Sequence, residues 1–351
     1  MNRLNVALIG YGYAGKTFHA PLIVSIPGLR LATVVSSDAA KVHADWPEAQ
    51  VVADAAQVFA DPAIDLVVIA APNDKHYSLA SSALAAGKHV VVDKPFTTTL
   101  AEANALIAQA AAAGKVLSVF HNRRWDADFL TVKRLLANDD LGRVVHFESH
   151  FDRFRPVVRQ RWRESAGLGN GLWYDLGPHL VDQALQLFGV PDAVYGDLAC
   201  LRDEAVATDY FHVILRYEGL RVILHGSCLV SGGPRYVMHG TKSSFIKQGL
   251  DTQESQLKAG GQPGYARWGV DPLDGLRIVS VNDIEETHPV PTAIGDYRHY
   301  YAGIHAAIAE GKPNPVPATE AAQVMAVIEL VQVSASTQRE MPFSTQGEVN
   351  A

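Results

Sequence analysis

The chain is poor in cysteine, in charge and in long apolar runs, and each shortage removes a class of function. Two of its 351 residues are cysteine. Cys200 and Cys228 fit no zinc or redox spacing, and as free, buried thiols they suit a reducing compartment. Charged residues make up 19% of the chain, the formal net charge is −7 and no basic run stands out. That argues against nucleic acid or an anionic membrane as partner. No stretch reaches the roughly 18 apolar residues of a membrane span. The opening MNRLNVALIGYG runs directly into an apolar strand and leaves no room for a secretory leader. We therefore expect a cytoplasmic protein without nucleic-acid or membrane partners. What the chain does have is 48% hydrophobic residues and a length comfortable for two domains.

The first informative pattern is LNVALIGYGYAG at Leu4–Gly15. An apolar strand enters a Gly-x-Gly-x-x-Gly turn, and a helical stretch follows. Gly10 makes the tight turn, Gly12 lets the backbone approach a pyrophosphate, and Gly15 lets helix pack on strand. Free N–H groups and the helix dipole then favour phosphate. Tyr13 and Ala14 complete the loop.

Up to residue 121 the chain alternates strand and helix. Strands are expected at Val6–Ile9, Arg30–Ser36, Leu66–Ala70, His89–Val92 and Val116–Val119, with Ala-rich helices at Ser78–Ala86 and Leu100–Ala113. Continuous apolar strands mean both faces are covered, so residues 1–121 read as an α/β Rossmann domain with a doubly wound parallel sheet. Residues 122–351 read as an α+β substrate-binding and oligomerisation domain with a large, mostly antiparallel open sheet. Strands are expected at Val144–Phe154, Ala193–Leu201, Thr208–Tyr217, Leu220–Cys228, Arg235–His239 and Ser243–Lys247, with helices at Phe129–Ala137, Leu176–Phe188, Tyr297–Glu310 and Thr319–Thr337. Gly249–Pro272 reads as a long loop. An open sheet of this kind suits a homodimer or homotetramer.

The end of the second strand selects the cofactor. An acidic residue there binds a ribose 2′-OH, whereas small hydroxyls with a nearby cation accept a 2′-phosphate. Ser36, Ser37 and Lys41 fit the second pattern, and Asp38 comes late enough to cap the next helix. This favours NADP(H), with NAD as the alternative.

Three segments carry candidate chemistry. Pro72-Asn73-Asp74-Lys75-His76 and Asp93-Lys94-Pro95 follow strands at the carboxyl edge of the sheet, where ligands bind. The proline would fix the backbone beside Lys94, a bond that could be cis. A lysine leaving a buried strand reads either as an exposed loop charge or as a cation aimed at the nicotinamide and a substrate oxygen. Asp175 and His179 are four apart within Tyr174–Asp182, so a continuous helix puts them on one face. A carboxylate there orients an imidazole for acid–base work; capping plus a structural histidine is the other reading. With no cysteine nearby and no third ligand, no metal is expected.

Taken in order, GYGYAG at Gly10–Gly15, APNDKH at Ala71–His76, DKP at Asp93–Pro95 and YDLGPHLVD at Tyr174–Asp182 resemble the Gfo/Idh/MocA oxidoreductases along nearly the whole chain. The family's lysine usually sits in Glu-Lys-Pro, where this chain has Asp93. The glycine run usually preceding the Asp–His helix is here Gly167-Leu168-Gly169-Asn170-Gly171. The resemblance implies that Lys94, Asp175 and His179 are catalytic and that Pro72, Asn73 and His76 lie along the cofactor. It also implies that the stretch Phe120–Trp125, including Asn122, passes near the nicotinamide, which Trp162 and Arg163 also reach. Within the family, His121–Leu130 and Pro234–Asp251 look like the NADP-linked scyllo-inositol dehydrogenase group. Lys94, His179, Asn122, Asp126, Asp152, Arg153, Tyr236 and His299 are candidate substrate contacts. The implied activity is reversible oxidation of a ring hydroxyl of a cyclic polyol or sugar, scyllo-inositol first. The alternatives are reduction of another sugar or anhydro-sugar, or a non-catalytic dinucleotide sensor.

Overall fold

The structure, a computed structural model, describes residues 3–344. The chain forms two compact units, neither of them contiguous in sequence. One holds the residues up to Asp126 with Thr252–Gly269 and Gly295–Ala322; the other holds Ala127–Asp251, Val270–Ile294 and the residues from Gln323 onward. The division expected after residue 121 lies near the first crossing, but two later segments return to the first unit. Their side chains explain why. Glu254 accepts hydrogen bonds from Arg123 Nη2 at 2.6 Å and from the Tyr13 hydroxyl at 2.9 Å. Tyr301 meets His19 Nδ1 at 2.6 Å, and the Tyr300 hydroxyl donates to Ser118 at 2.9 Å.

The first unit contains strands β1 (Leu4–Ile9), β2 (Leu29–Val35), β3 (Gln50–Val52), β4 (Leu66–Ile69), β5 (His89–Val92) and β6 (Leu117–Val119). They pair in parallel in the order β3-β2-β1-β4-β5-β6. Strand β4 and most of β1 and β5 are buried, so their sequences are apolar without alternation. The strand order reverses between β1 and β4, where the crevice of such sheets opens beyond the strand ends. Helix Leu100–Ala113 starts with a Thr99/Glu102 capping box and ends at Gly114 in the left-handed conformation, as its sequence signals. The short β3 escaped the sequence reading because only one of its three residues is buried.

The second unit contains β7 (Val144–His150), β8 (Ala193–Ala199), β9 (Tyr210–Tyr217), β10 (Leu220–Ser227), β11 (Pro234–Gly240), β12 (Ser244–Gln248), β13 (Gly275–Val281), β14 (Ile284–Val290) and β15 (Met341–Pro342). Their order is β14-β13-β12-β11-β7-β10-β9-β8-β15, antiparallel throughout except for β7 beside β10. One face is covered by helices. Trp173 of helix Gly171–Phe188 packs 5.1 Å from Phe211 and donates to Ile328 O at 3.1 Å, while Phe188 lies 5.3 Å from Phe147. Arg235 is buried on this side, donating to Asp128, Ser149 and Gln183 at 2.8–3.0 Å.

Three expectations need correction. The segment read as a loop from Gly249 contains helix Gln253–Lys258, which carries Glu254. Strands β13 and β14 were missed because nearly all of β14 is exposed and shows no apolar alternation. Cys200 is exposed, and only Cys228 is the buried thiol expected of both.

Candidate active site

The glycine turn passes a steric test for a bound dinucleotide. Gly10 has φ +98°, and a Cβ there would lie 2.5 Å from Ala70 O. A Cβ on Gly15 would lie 2.1 Å from Gly10 O, so both glycines are required by the protein itself. A Cβ on Gly12 would meet nothing within 4 Å. Gly12 therefore presents bare backbone to open space, as a phosphate approaching the chain requires. A helical stretch, residues 13–24, follows directly, with Gly15–His19 in π geometry.

At the end of β2, Asp38 accepts the Lys41 amide hydrogen bond at 2.9 Å and so caps helix Ala39–Asp45. Ser36 Oγ accepts from the Asp38 amide at 3.1 Å, Ser37 is exposed, and Lys41 Nζ donates to Tyr11 O at 3.0 Å. The nearest carboxylate is thus engaged by backbone, and the strand end carries hydroxyls with an ammonium close by.

Beyond β4, His76 is buried and places its two ring nitrogens 2.8 Å from Pro95 O and 3.0 Å from Ala71 O. It ties the loop after β4 to the turn after β5; Asn73 lies buried in the same loop. The bond Lys94–Pro95 is cis. Asp93 Oδ1 accepts the Lys94 amide hydrogen bond at 2.8 Å and lies 3.7 Å from His19 Nε2. Burial alone would raise the Asp93 carboxyl, but the His19 contact and charge, with Lys94 and His76, outweigh it and hold the pKa at about 2. His19 is itself fixed by Tyr301, and its ring packs tilted against Phe120 with centroids 4.3 Å apart. The shorter acid in place of glutamate is thus anchored by a buried Tyr301–His19 pair, which no local motif reveals.

In the second unit, Asp175 and His179 lie one turn apart on helix Gly171–Phe188, with Pro178 between them. His179 is buried, and Asp175 is partly open. Asp175 faces Arg153 Nη1 at 3.7 Å and Arg163 Nε at 3.8 Å. Arg163 also lies over the ring of Trp162, 4.7 Å from its centroid. Asp175, Arg153 and Arg163 line a small cleft that also receives Arg155, Arg161 and Arg202. Arg161 and Arg202 are held by Glu164. Arg155 has its pKa lowered by burial and by the neighbouring arginines Arg153, Arg159 and Arg161. The sequence reading missed this cluster because the overall negative charge hides it. Five arginines between positions 153 and 163 were the available signal.

Other candidates are placed elsewhere. Asp126 is fully buried, accepting from the Tyr297 hydroxyl at 2.6 Å and from Arg123 at 3.3 Å. Tyr236 is fully buried and donates to Gln183 at 2.9 Å. Both spend these polar atoms on buried contacts within the fold rather than on a substrate cleft. Asp152 points away from Arg153, toward His150 and His225. Asn122 is buried at the start of the short helix Asn122–Trp125, and His299 is exposed at the start of helix Arg298–Glu310.

Comparison with known proteins gives the same reading. Residues 4–121 match the model for the NAD-binding Rossmann fold of the Gfo/Idh/MocA oxidoreductase family, and residues 133–343 match that for its C-terminal alpha/beta domain. The chain is 56% identical to the oxidoreductase YdgJ of Escherichia coli, over 94% of this chain and 95% of that protein. It is 39% identical to the scyllo-inositol 2-dehydrogenase (NADP(+)) IolW of Bacillus subtilis, over 97% and 96% respectively. A solved structure from Yersinia pestis, named at the level of oxidoreductase, superposes with a TM-score of 0.95 at 56% identity, covering 99% of each chain. No helix among the described residues is long and apolar enough to cross a membrane. The chain belongs to the Gfo/Idh/MocA oxidoreductase family and is a dinucleotide-dependent dehydrogenase.

Proposed function

We propose that the enzyme uses NADP(H) to oxidise, reversibly, a ring hydroxyl of a cyclic polyol, with scyllo-inositol and its inosose as the first pair to test. The observation that carries the cofactor choice is the withdrawal of Asp38 into a helix cap, which leaves Ser36, Ser37 and Lys41 at the strand end. When bound, the nicotinamide supplies the hydride acceptor or donor. His179 takes the hydroxyl proton as the carbinol C–H bond gives up its hydride, and returns it in the reverse direction. Lys94 hydrogen-bonds the same oxygen and stabilises negative charge on it. Asp175, held between Arg153 and Arg163, orients the imidazole. Asn122, Trp162 and Arg163 border the cofactor, and Arg153 is the substrate contact best supported by its place beside Asp175. We further propose a cytoplasmic homodimer or homotetramer, which light scattering would test.

Initial rates with NADP+ and NAD+ against scyllo-inositol, myo-inositol and glucose test the proposal. Faster turnover of scyllo-inositol with NADP+ is expected. NAD+ preference would overturn the cofactor assignment, and inactivity on all three would overturn the substrate class. The arginine cluster favours one second reading with the same chemistry, a substrate bearing a carboxylate, so a sugar acid belongs in the panel.

A further inference from the structure

The half-exposed face of the nine-stranded sheet carries a cluster that the dehydrogenase reading does not use. His150 and His225 are paired in register on adjacent strands β7 and β10, and Asp152 lies two residues beyond His150. One nitrogen from each histidine and one Asp152 oxygen lie within 4.8 Å of one another.

Their hydrogen bonding sets which nitrogen of His150 faces Asp152. Glu148 receives His146 Nε2 on one carboxylate oxygen and His150 Nε2 on the other, each at 2.7 Å. A carboxylate only accepts, so His150 donates from Nε2 and, in a neutral ring, Nδ1 carries the lone pair. That lone pair faces Asp152 Oδ2 at 3.6 Å. On the other side, His225 Nε2 faces Asp152 Oδ1 at 3.5 Å, while the same oxygen accepts from the Ser227 amide at 3.0 Å. Both separations exceed a hydrogen bond of about 2.7–3.2 Å. Taken to the two different oxygens of Asp152, they are close to the roughly 3.3–3.5 Å between neighbouring tetrahedral ligands of zinc bound at about 2.0–2.2 Å, and the three ligand atoms gather within 4.8 Å.

The geometry assigns a divalent metal site of the zinc class to His150 Nδ1, Asp152 and His225 Nε2, with the fourth position open to water. Two imidazoles and one carboxylate disfavour the oxygen-seeking calcium and magnesium. Glu148 supplies the outer carboxylate that fixes a ligating histidine's tautomer. The site is separate from the catalytic groups. Phe151 and Arg153 alternate with His150 and Asp152 along the chain, and Arg153 reaches Asp175 instead.

Chelator-stripped, tag-free protein dialysed against zinc chloride and analysed for metal tests this. The expected result is one zinc per chain, lost in both Asp152→Asn and His225→Ala, with circular dichroism to verify folding. Asn retains an acceptor for the Ser227 amide, so Asp152→Asn decides alone if His225→Ala fails to fold. Glu148→Gln should keep the site with affinity weakened about 10–100-fold. Cobalt(II) should give four-coordinate visible absorption that Asp152→Asn abolishes. Failure to retain a stoichiometric zinc, or undiminished zinc in folded Asp152→Asn, overturns the assignment. A proton shared between His150 and Asp152 would then be the bridging cation.

Discussion

The two sheets keep their ionisable groups in different places. In the parallel sheet they stand beyond the strand ends, as with Ser36, His76, Asp93 and Lys94. In the antiparallel sheet many stand on the strands themselves, as with His146, Glu148, His150, His212 and His225. Burial accounts for the difference. Helices on both faces of β1, β4 and β5 exclude unpaired charge, and only the carboxyl edge is left for chemistry. The second sheet has one face under helices, so the other tolerates polar side chains at every second position.

Variants sharpen that contrast. The largest effect is expected at the proposed catalytic groups: Lys94→Ala and His179→Ala should each lower kcat about 10²–10⁴-fold. NADPH binding, followed by nucleotide fluorescence, should persist. Turnover near wild type in either variant removes that residue from the chemistry. On the covered face of the second sheet, Arg235→Ala strands the buried Asp128 carboxylate. It should cost about 3–5 kcal/mol in denaturant unfolding. A much smaller loss would show that face to be wetter than the geometry implies.

At the edge of the first sheet the effect depends on acid. Asp93 is held at about 2, below its ordinary value of 3.8. Its contribution, about 2 kcal/mol, is present above pH 4 and disappears as the pH falls from about 4 to 2. Asp93→Asn should therefore flatten acid unfolding across that window, and an unchanged profile would contradict the His19 anchor. The smallest effect separates two glycines. Gly12→Ala should leave the melting temperature nearly unchanged while weakening NADPH binding about tenfold or more. Gly15→Ala, forced against Gly10 O, should cost about 1–3 kcal/mol of stability. Equal behaviour of the two would break the steric argument for the turn.

What could be read in advance follows the range of the interactions. The parallel sheet, the capped helix Leu100–Ala113 and the Asp38 cap are set within a few residues of one another, and each left a local signal. The Tyr13–Glu254 bond spans 241 positions and the His19–Tyr301 contact spans 282, so no window of sequence contains them. Strand β14 was invisible for a different reason: an exposed strand needs no apolar alternation. In the second unit Asp175 and His179 were legible as a pair on one helix. Their arginine neighbours Arg153 and Arg163 come from a separate segment, and Trp162–Glu164 is only a short helical turn.

The return of Thr252–Gly269 and Gly295–Ala322 to the first unit limits how this enzyme can be recombined. A fragment cut after Asp126 would strand the Arg123 guanidinium without Glu254 and leave His19 without Tyr301. A chimaera that swaps nucleotide preference with a relative must therefore transplant three stretches of chain together. Random crossover at the apparent boundary is expected to yield mostly insoluble hybrids.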